Sequence, residues 1–263
     1  MAEPDLLFDL KILTYNYFHG TEWTYENLSA PFWRLYWHAY PGTWMTMKGV
    51  PVPTTPEVCT VISPYTPVRA CGRGLSHHFY LHFLAGYPYN IITSRIFTFK
   101  PAPEHLDSIR GLVDNLTPGS ASSLSEPLTC VHLCAEALAR VPWEKWGAVS
   151  GDPRILRIDS FMTENIGRPV SNMELAEVVC MAPNSFNRFF KTMTGFTPQR
   201  YFTRKKIERA CFMLQYLDAS IEEISAMLGF TDRYYFSRVF KKTTGTGPAS
   251  YRKAVQRAEK RRI

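Results

Sequence analysis

The C-terminal part of this chain contains an internal repeat. Residues 185–201 read SFNRFFKTMTGFTPQRY, and residues 235–251 read YFSRVFKKTTGTGPASY. The positions that are identical at a spacing of 50 residues are Phe186/Phe236, Arg188/Arg238, Phe190/Phe240, Lys191/Lys241, Thr194/Thr244, Gly195/Gly245, Pro198/Pro248 and Tyr201/Tyr251. Such self-similarity indicates that one structural unit occurs twice, and it constrains the fold more than any other feature of the sequence.

Both repeats begin with the same helix-start signal. Ser171 is followed three residues later by Glu174 in SNMELAEVVC, and Ser220 is followed by Glu223 in SIEEISAMLG. In this capping box the Ser side chain accepts from a free backbone N–H, and the Glu side chain bonds back to the cap. Each repeat therefore predicts a short helix, a tight turn and a second helix. Gly229 supplies the left-handed conformation that the second turn needs.

The second predicted helix of each repeat is amphipathic. Aromatic and β-branched residues recur at i, i+3 and i+4, which places them on one buried face. The opposite faces carry Asn184, Asn187, Arg188 and Lys191 in the first copy and Tyr234, Ser237, Arg238 and Lys241 in the second. Asn can bond adenine edges, Arg can bond guanine through two N–H groups, and Lys binds phosphate as a point charge. These faces predict recognition helices that contact DNA.

A longer helix joins the two predicted units. Residues 198–215 read PQRYFTRKKIERACFMLQ, with Pro198 at a helix start and an apolar stripe from Ile207 to Leu214. A helix of about 18 residues is about 27 Å long, and the major grooves on one face of DNA recur about every 34 Å. We therefore expect one monomer to place both recognition helices in successive grooves, which explains why the unit occurs twice.

Charge is distributed unequally along the chain. The 263 residues include 30 Lys/Arg and 23 Asp/Glu, a net charge of +7. Residues 150–263 hold 20 and 11 of these, a net charge of +9, whereas residues 1–149 hold 10 and 12, a net charge of −2. This asymmetry indicates two domains, of which the basic one faces a polyanion. A solvated basic face is the alternative that charge alone leaves open.

The stretch from about Pro153 to Lys253 resembles the DNA-binding domain of the AraC/XylS family of bacterial transcription regulators. Its most specific motif is GFTDRYYFSRVFKKTTGTGPASYR at 229–252. The resemblance implies a domain of seven helices with two helix-turn-helix units. The recognition positions that it implies are Asn184, Asn187, Arg188, Lys191, Arg233, Tyr234, Ser237, Arg238 and Lys241.

The first repeat departs from the family pattern in two places. Cys180 stands where the family usually has Gly in the turn, and Ala182 stands where a Ser usually caps the recognition helix. A non-Gly residue in a left-handed turn costs about 1 kcal/mol, and loss of a cap costs about 0.5–2 kcal/mol. We expect the first unit to be less rigid than the second, or its turn to have a different shape.

Short aromatic and β-branched segments, separated by Gly and Pro clusters, fill the N-terminal half. Examples are TWMTMKG and HHFYLHFLAG. This pattern predicts a β sandwich or barrel, and two helical patterns follow it. The predicted domains are an effector-sensing and dimerisation domain at 1–146, with a barrel at about 10–100 and helices at about 104–141, then a linker at 147–153 and a DNA-binding domain at 154–263.

The N-terminal segments WRLYWHAYPGTWMTMKG, VISPYTP and HHFYLHF resemble the cupin-like sensor domain of the same family. The resemblance implies a mainly-β barrel that binds a small effector, often a sugar, followed by two helices that pair between subunits. Flat aromatic faces with a few fixed polar groups are typical of sugar pockets. Tyr40, His78 and Tyr80 match pocket-facing positions of sugar-sensing relatives. The alternative is that these aromatics belong to the barrel core.

No metal or cofactor is predicted. His77, His78 and His82 lie close together in sequence, and His38 can lie opposite them. Metal-binding cupins carry HxH followed by Glu, whereas FLAGYPYN after His82 contains no carboxylate. No Ser/His/Asp or Cys/His catalytic set stands out. A metal-dependent cupin enzyme, such as an isomerase or dioxygenase, joined to a DNA-binding domain is the alternative. A sensor domain that only dimerises and binds no ligand is a third possibility.

The sequence therefore predicts an all-α double helix-turn-helix domain behind a β-rich sensor domain. The function that follows is a sequence-specific DNA-binding regulator of transcription, without enzymatic activity, whose DNA binding responds to a small molecule. Expected partners are double-stranded DNA, the effector, a second copy of the chain and RNA polymerase. The acidic N-terminus lacks the pattern of a signal peptide, and no apolar run reaches membrane-spanning length. Six dispersed cysteines fit free thiols, and a cytoplasmic location is expected.

Overall fold

The computed structural model describes residues 9–20, 24–41, 43–52, 54–72, 76–116, 125–143 and 152–260. These residues form two compact units. The β unit consists mainly of Leu10–Ala85 and Ile92–Val141, and the helical unit consists mainly of Gly86–Ile91 and Pro142–Arg252. Most of the predicted linker at 147–153 lies outside the described residues.

Two antiparallel sheets make up most of the β unit. One sheet has the strand order β1-β8-β3-β6-β9, and the other has the order β2-β7-β4-β5. The strands are β1 (Leu10–Phe18), β2 (Tyr25–Leu28), β3 (Trp33–His38), β4 (Thr43–Met47), β5 (Val50–Val52), β6 (Cys59–Ile62), β7 (Val68–Gly72), β8 (His78–Ala85) and β9 (Ile96–Phe99). The prediction of a mainly-β N-terminal region is confirmed.

The central strand β3 is buried on both of its faces. Trp33 and Leu35 are fully buried on one face, and Arg34 and Tyr36 are buried on the other. A core cluster joins the two sheets through Tyr36, Met45, Val52, Ile62, Val68 and Ala70. Buried and exposed residues therefore do not alternate along this strand, because both of its faces pack against protein.

Two helices follow the last strand, as the sequence predicts. They are α1 (Pro103–Asn115) and α2 (Glu126–Ala139). Each helix buries one stripe, with Ile109 and Leu112 on α1 and Cys130, Leu133, Cys134, Ala137 and Leu138 on α2.

The helical unit contains seven α-helices among its described residues. They are α3 (Pro153–Glu164), α4 (Asn172–Glu177), α5 (Pro183–Thr194), α6 (Pro198–Tyr216), α7 (Ile221–Met227), α8 (Arg233–Thr244) and α9 (Pro248–Lys260). Helices α4 and α5 form the first helix-turn-helix unit, and α7 and α8 form the second. Helix α6, with 19 residues, joins them and is about 28 Å long at 1.5 Å per residue.

The repeat builds the same small core twice. The rings of Phe186 and Phe190 are 5.8 Å apart, and those of Phe236 and Phe240 are 5.7 Å apart. The tyrosine that follows packs edge-on against the second phenylalanine in both copies, at 5.4 Å for Tyr201 and 5.5 Å for Tyr251. Most identical positions of the repeat therefore specify the frame that holds each recognition helix.

One segment of the sheet-forming region lies in the helical unit. Within Gly86–Ile91, the Asn90 side chain donates to the hydroxyl of Tyr201 at 2.6 Å, and Arg204 donates to the Asn90 carbonyl at 3.1 Å. Tyr201 in turn donates to Asp159 at 2.5 Å. These buried hydrogen bonds explain why the segment groups with the helices, although it lies inside the range predicted for the barrel.

Across the described ranges, no helix is both long enough and apolar enough to cross a membrane. All six cysteines are free thiols, and four of them are buried.

Candidate nucleic-acid interface

Local sequence fixes the start of the second recognition helix, α8. The carboxylate of Asp232 caps it by accepting from the backbone N–H of Tyr235 at 2.7 Å. In the preceding turn Gly229 has a φ of 63°, and a Cβ at this position would lie 2.6 Å from the carbonyl oxygen of Gly167. Both the left-handed conformation and the close approach therefore require glycine.

The first recognition helix, α5, starts with fewer local supports. Cys180 adopts a left-handed φ of 52°, which is strained for a residue with a Cβ. Ala182 occupies the N-cap position of α5 and makes no side-chain cap bond. Both departures that the sequence shows are thus present in the structure. The C-termini are alike, because Gly195 and Gly245 both cap in the left-handed conformation.

Capping boxes hold the first helix of each unit. The Ser171 hydroxyl accepts from the N–H of Glu174 at 3.1 Å, and the Ser171 N–H donates to the Glu174 carboxylate at 2.8 Å. That backbone N–H, together with Arg168, lowers the pKa of Glu174 to about 2. Ser220 and Glu223 repeat the pair of bonds at 3.1 and 2.7 Å. The capping boxes predicted from sequence are therefore formed.

The predicted recognition residues lie on the outer faces of α5 and α8. Those exposed to solvent are Asn184, Arg188, Lys191, Arg233, Tyr234, Arg238 and Lys241, whereas Asn187 and Ser237 are half-buried. Tyr234 is 72% exposed, which is unusual for so large an aromatic side chain. Tyr235 and Lys242, which were not among the predicted recognition residues, are also exposed on α8.

The cationic side chains of this surface are available to a ligand. Within the described part of the chain, none of the five predicted Arg and Lys readers forms an ion pair with a carboxylate. The guanidinium of Arg233 lies 5.2 Å from the Tyr234 ring, and that of Arg238 lies 6.0 Å from the Tyr235 ring. Unpaired guanidinium and ammonium groups beside amides are the groups that bind phosphates and guanine edges.

Two residues that were not predicted from the sequence are connected by hydrogen bonds to Asn187, on the outer face of α5. Asn172, at the start of α4, donates from its side-chain amide to the side-chain oxygen of Asn187 at 2.9 Å. The side-chain amide of Gln199, at the start of α6, donates to the Asn172 oxygen at 3.0 Å and to the Val170 carbonyl at 2.8 Å. The signal available in the sequence was a difference between copies, because the second repeat has Ile221 and Ala249 at these positions.

The residues predicted to hold an effector are only partly brought together. The ring centroids of His78 and Tyr80 are 6.2 Å apart. Two further inward rings lie near His78, with centroids 5.1 Å away at His38 and 5.8 Å away at Tyr36. Tyr40 is 51% exposed and contacts the ring of His77 at 5.6 Å. His78 and Tyr80 thus share a face, while Tyr40 stands beside the neighbouring histidine.

The inward histidines of the β unit are held neutral. Burial lowers the pKa of His38 to about 4, and burial and then the nearby imidazoles lower that of His78 to about 2. Burial, followed by the charge of Arg34, lowers the pKa of His82 to about 3. Among the described residues, no group of three or more His, Cys, Asp or Glu side chains is arranged to hold a metal ion.

Known proteins resemble this chain in two ways. Residues 175–254 match the family model of a helix-turn-helix domain. The MmsAB operon regulatory protein of Pseudomonas aeruginosa is 33% identical over 102 residues, which cover 39% of this chain and 33% of that protein. The transcriptional activator RhaS of Yersinia pestis is 31% identical over 113 residues, which cover 42% and 41%. The match thus spans less than half of the length of these relatives.

A solved structure shares the architecture over a much longer range. ToxT from Vibrio cholerae aligns with a TM-score of 0.61 over 92% of this chain and 97% of its own, at 11% identity. At that identity the likeness concerns the fold alone. It agrees with a β-rich N-terminal region followed by a helical domain.

The C-terminal part of this chain is therefore a helix-turn-helix domain with two units. The family-model match at 175–254 and the two named regulators agree with the resemblance to the AraC/XylS type that the motif at 229–252 carries.

Proposed function

We propose that this chain is a sequence-specific DNA-binding regulator of transcription whose helices α5 and α8 enter two adjacent major grooves. The observation that carries the proposal is the repeated helical frame, whose outer faces carry Arg and Lys side chains that form no ion pair with a carboxylate. The aromatic core is the same in both units, whereas the outward residues differ at Asn184/Tyr234 and Asn187/Ser237. Such an arrangement is suited to reading two different half-sites.

Selection of bound duplexes from a random pool by the full chain tests this proposal. We expect one enriched sequence in which each bound monomer accounts for two conserved blocks about 10 bp apart. Binding to it should weaken steeply with salt, because Lys and Arg side chains release counterions from phosphates. Failure to enrich any sequence, or binding that does not depend on salt, would contradict the proposal.

The β unit is proposed to sense a small molecule, with Tyr40, His78 and Tyr80 as its contacts and a sugar as the favoured class. Supporting this are the shared inward face of His78 and Tyr80 and the neutral imidazoles beside them, which can donate and accept hydrogen bonds. A ToxT structure contains an unsaturated fatty acid. A thermal-shift screen should therefore compare sugars with fatty acids. Tyr80→Ala should abolish the shift caused by a true effector, whereas an unchanged shift would remove Tyr80 from the pocket.

A homodimer formed through α1 and α2 completes the proposal, together with contact to RNA polymerase. Leu128 is 72% exposed and Val131 is 42% exposed, and their i, i+3 spacing places both on one outer face of α2. Sedimentation of the full chain should show a dimer that Leu128→Glu weakens. Sedimentation as a monomer at all concentrations would contradict it.

No enzymatic activity is proposed, and the relatives that match are named for regulation. The metal-dependent alternative is tested by the metal content of the purified protein, in which a stoichiometric metal would favour an enzyme.

A further inference from the structure

Three side-chain amides form a hydrogen-bonded chain that ends at Asn187, on the outer face of α5. It runs from Gln199 through Asn172 to Asn187, with donor–acceptor distances of 3.0 and 2.9 Å. Three different helices, α6, α4 and α5, contribute these residues. Only Asn187 belongs to the predicted recognition face, and Asn172 and Gln199 are linked to it by hydrogen bonds.

The direction of every hydrogen bond in this chain follows from its first member. The carbonyl of Val170 can only accept, so the end of the Gln199 amide that lies 2.8 Å from it must be the NH₂ group. The same NH₂ group faces Asn172, which must present its oxygen there. The NH₂ of Asn172 then faces Asn187, and the Asn187 oxygen accepts from it. The Val170 carbonyl thus fixes the orientation of the Asn187 amide through the side chains of Gln199 and Asn172.

We propose that Asn172 is a specificity-positioning residue, which makes Asn187 a reader that offers only N–H donors to the base. This inference rests on the proposed function. An amide that recognises adenine must accept from N6 and donate to N7 at the same time. Asn172 takes one of the two lone pairs of the Asn187 oxygen and holds that oxygen on its own side, so the NH₂ group is the end of the Asn187 amide turned away from Asn172. This NH₂ group matches bases with acceptors in the major groove, foremost guanine, which presents O6 and N7.

The second unit has no equivalent chain. Its residues at the three positions are Ile221, Ser237 and Ala249. The hydroxyl of Ser237 can rotate and either donate or accept. The first unit therefore fixes whether Asn187 donates or accepts, whereas the second leaves Ser237 able to do either. This difference follows from side chains that lie outside the recognition helices.

The test uses the full chain and the sequence selected from a random pool, with every base pair varied in turn. Asn187→Ala first identifies the base pair that Asn187 reads. We expect guanine or thymine there, and a loss of preference of about 5- to 150-fold in the variant, the range that a mismatched base pair typically costs. Asn172→Ala should relax the preference at that base pair. Asn172→Asp should reverse it towards cytosine or adenine, because a carboxylate can only accept and turns the Asn187 NH₂ inward.

A matched control separates this effect from added charge. Met173 is the next residue on α4 and is 60% exposed, so Met173→Asp adds the same negative charge without touching the amide chain. It should weaken all sequences alike. Preferences that stay the same in both Asn172 variants would overturn the inference. So would an adenine read through its N6 group, or a uniform loss for Asn187→Ala. In these cases binding of the unmodified chain to its selected sequence would still support the proposed function, whereas failure to select any sequence would contradict that function itself.

Discussion

Ala182 and Asp232 occupy equivalent positions in the two copies, yet only Asp232 caps its helix. We predict that Asp232→Ala destabilises the helical unit by about 0.5–2 kcal/mol, because the Tyr235 N–H loses its partner. Ala182→Ser should stabilise the unit by a similar or smaller amount, since it supplies the missing acceptor. Urea unfolding followed by circular dichroism measures both variants. Equal stability of Asp232→Ala and the unmodified chain would show that the cap contributes nothing.

The two turns make a second pair at the residue scale. Gly229→Ala should cost more than about 2 kcal/mol, because the left-handed conformation is strained and the new Cβ would meet the Gly167 carbonyl. Cys180→Gly relieves the same strain but makes the unfolded chain more flexible, so its net effect should lie within about 1 kcal/mol of zero, on the stabilising side. Urea unfolding midpoints of the two variants test this prediction. A greater loss of stability for Cys180→Gly than for Gly229→Ala would contradict the account.

At the scale of elements, we expect helix α8 to make two kinds of DNA contact, one to a base and one to phosphate. If Arg238 bonds a guanine, Arg238→Ala should cost about 1–3 kcal/mol and relax the preference at one base pair. Lys241→Ala should weaken all sequences alike and reduce the salt slope by about one. Binding across a panel of single-base variants distinguishes them. A uniform loss for Arg238→Ala would assign that residue to phosphate.

The helices of the repeat could be predicted because their signals are local. Capping boxes, the glycine at 229 and the spacing of Phe236 and Phe240 each specify a start, a turn or a buried face within one turn of helix. The amide chain could not be predicted in this way, since Asn172 and Gln199 meet Asn187 only after three helices have packed. The burial of both faces of β3 could not be predicted locally either, since it depends on which elements pack above and below that strand.

At the scale of the whole molecule, we expect the β unit to lose stability as the pH falls. In the folded state burial lowers the pKa values of His38, His78 and His82 to about 4, 2 and 3, against about 6.5 in the unfolded state. As the pH falls below 6.5, these histidines become protonated in the unfolded state but stay neutral in the folded state. Stability therefore decreases by up to about 1.4 kcal/mol per pH unit for each histidine, down to its folded pKa. Urea midpoints at pH 7 and pH 5 should differ strongly, and less so in His82→Phe. The same decrease in both proteins would contradict the prediction.

The central claim is that one monomer reads two successive major grooves with a repeated unit. Methylation interference on the selected DNA, with the full chain and with Arg188→Ala and Arg238→Ala, tests it most directly. We predict, for each bound monomer, two clusters of interfering guanines about 10 bp apart on one face of the duplex, with Arg188→Ala weakening one cluster and Arg238→Ala the other. A single cluster, or two that both depend on the same arginine, would contradict the account.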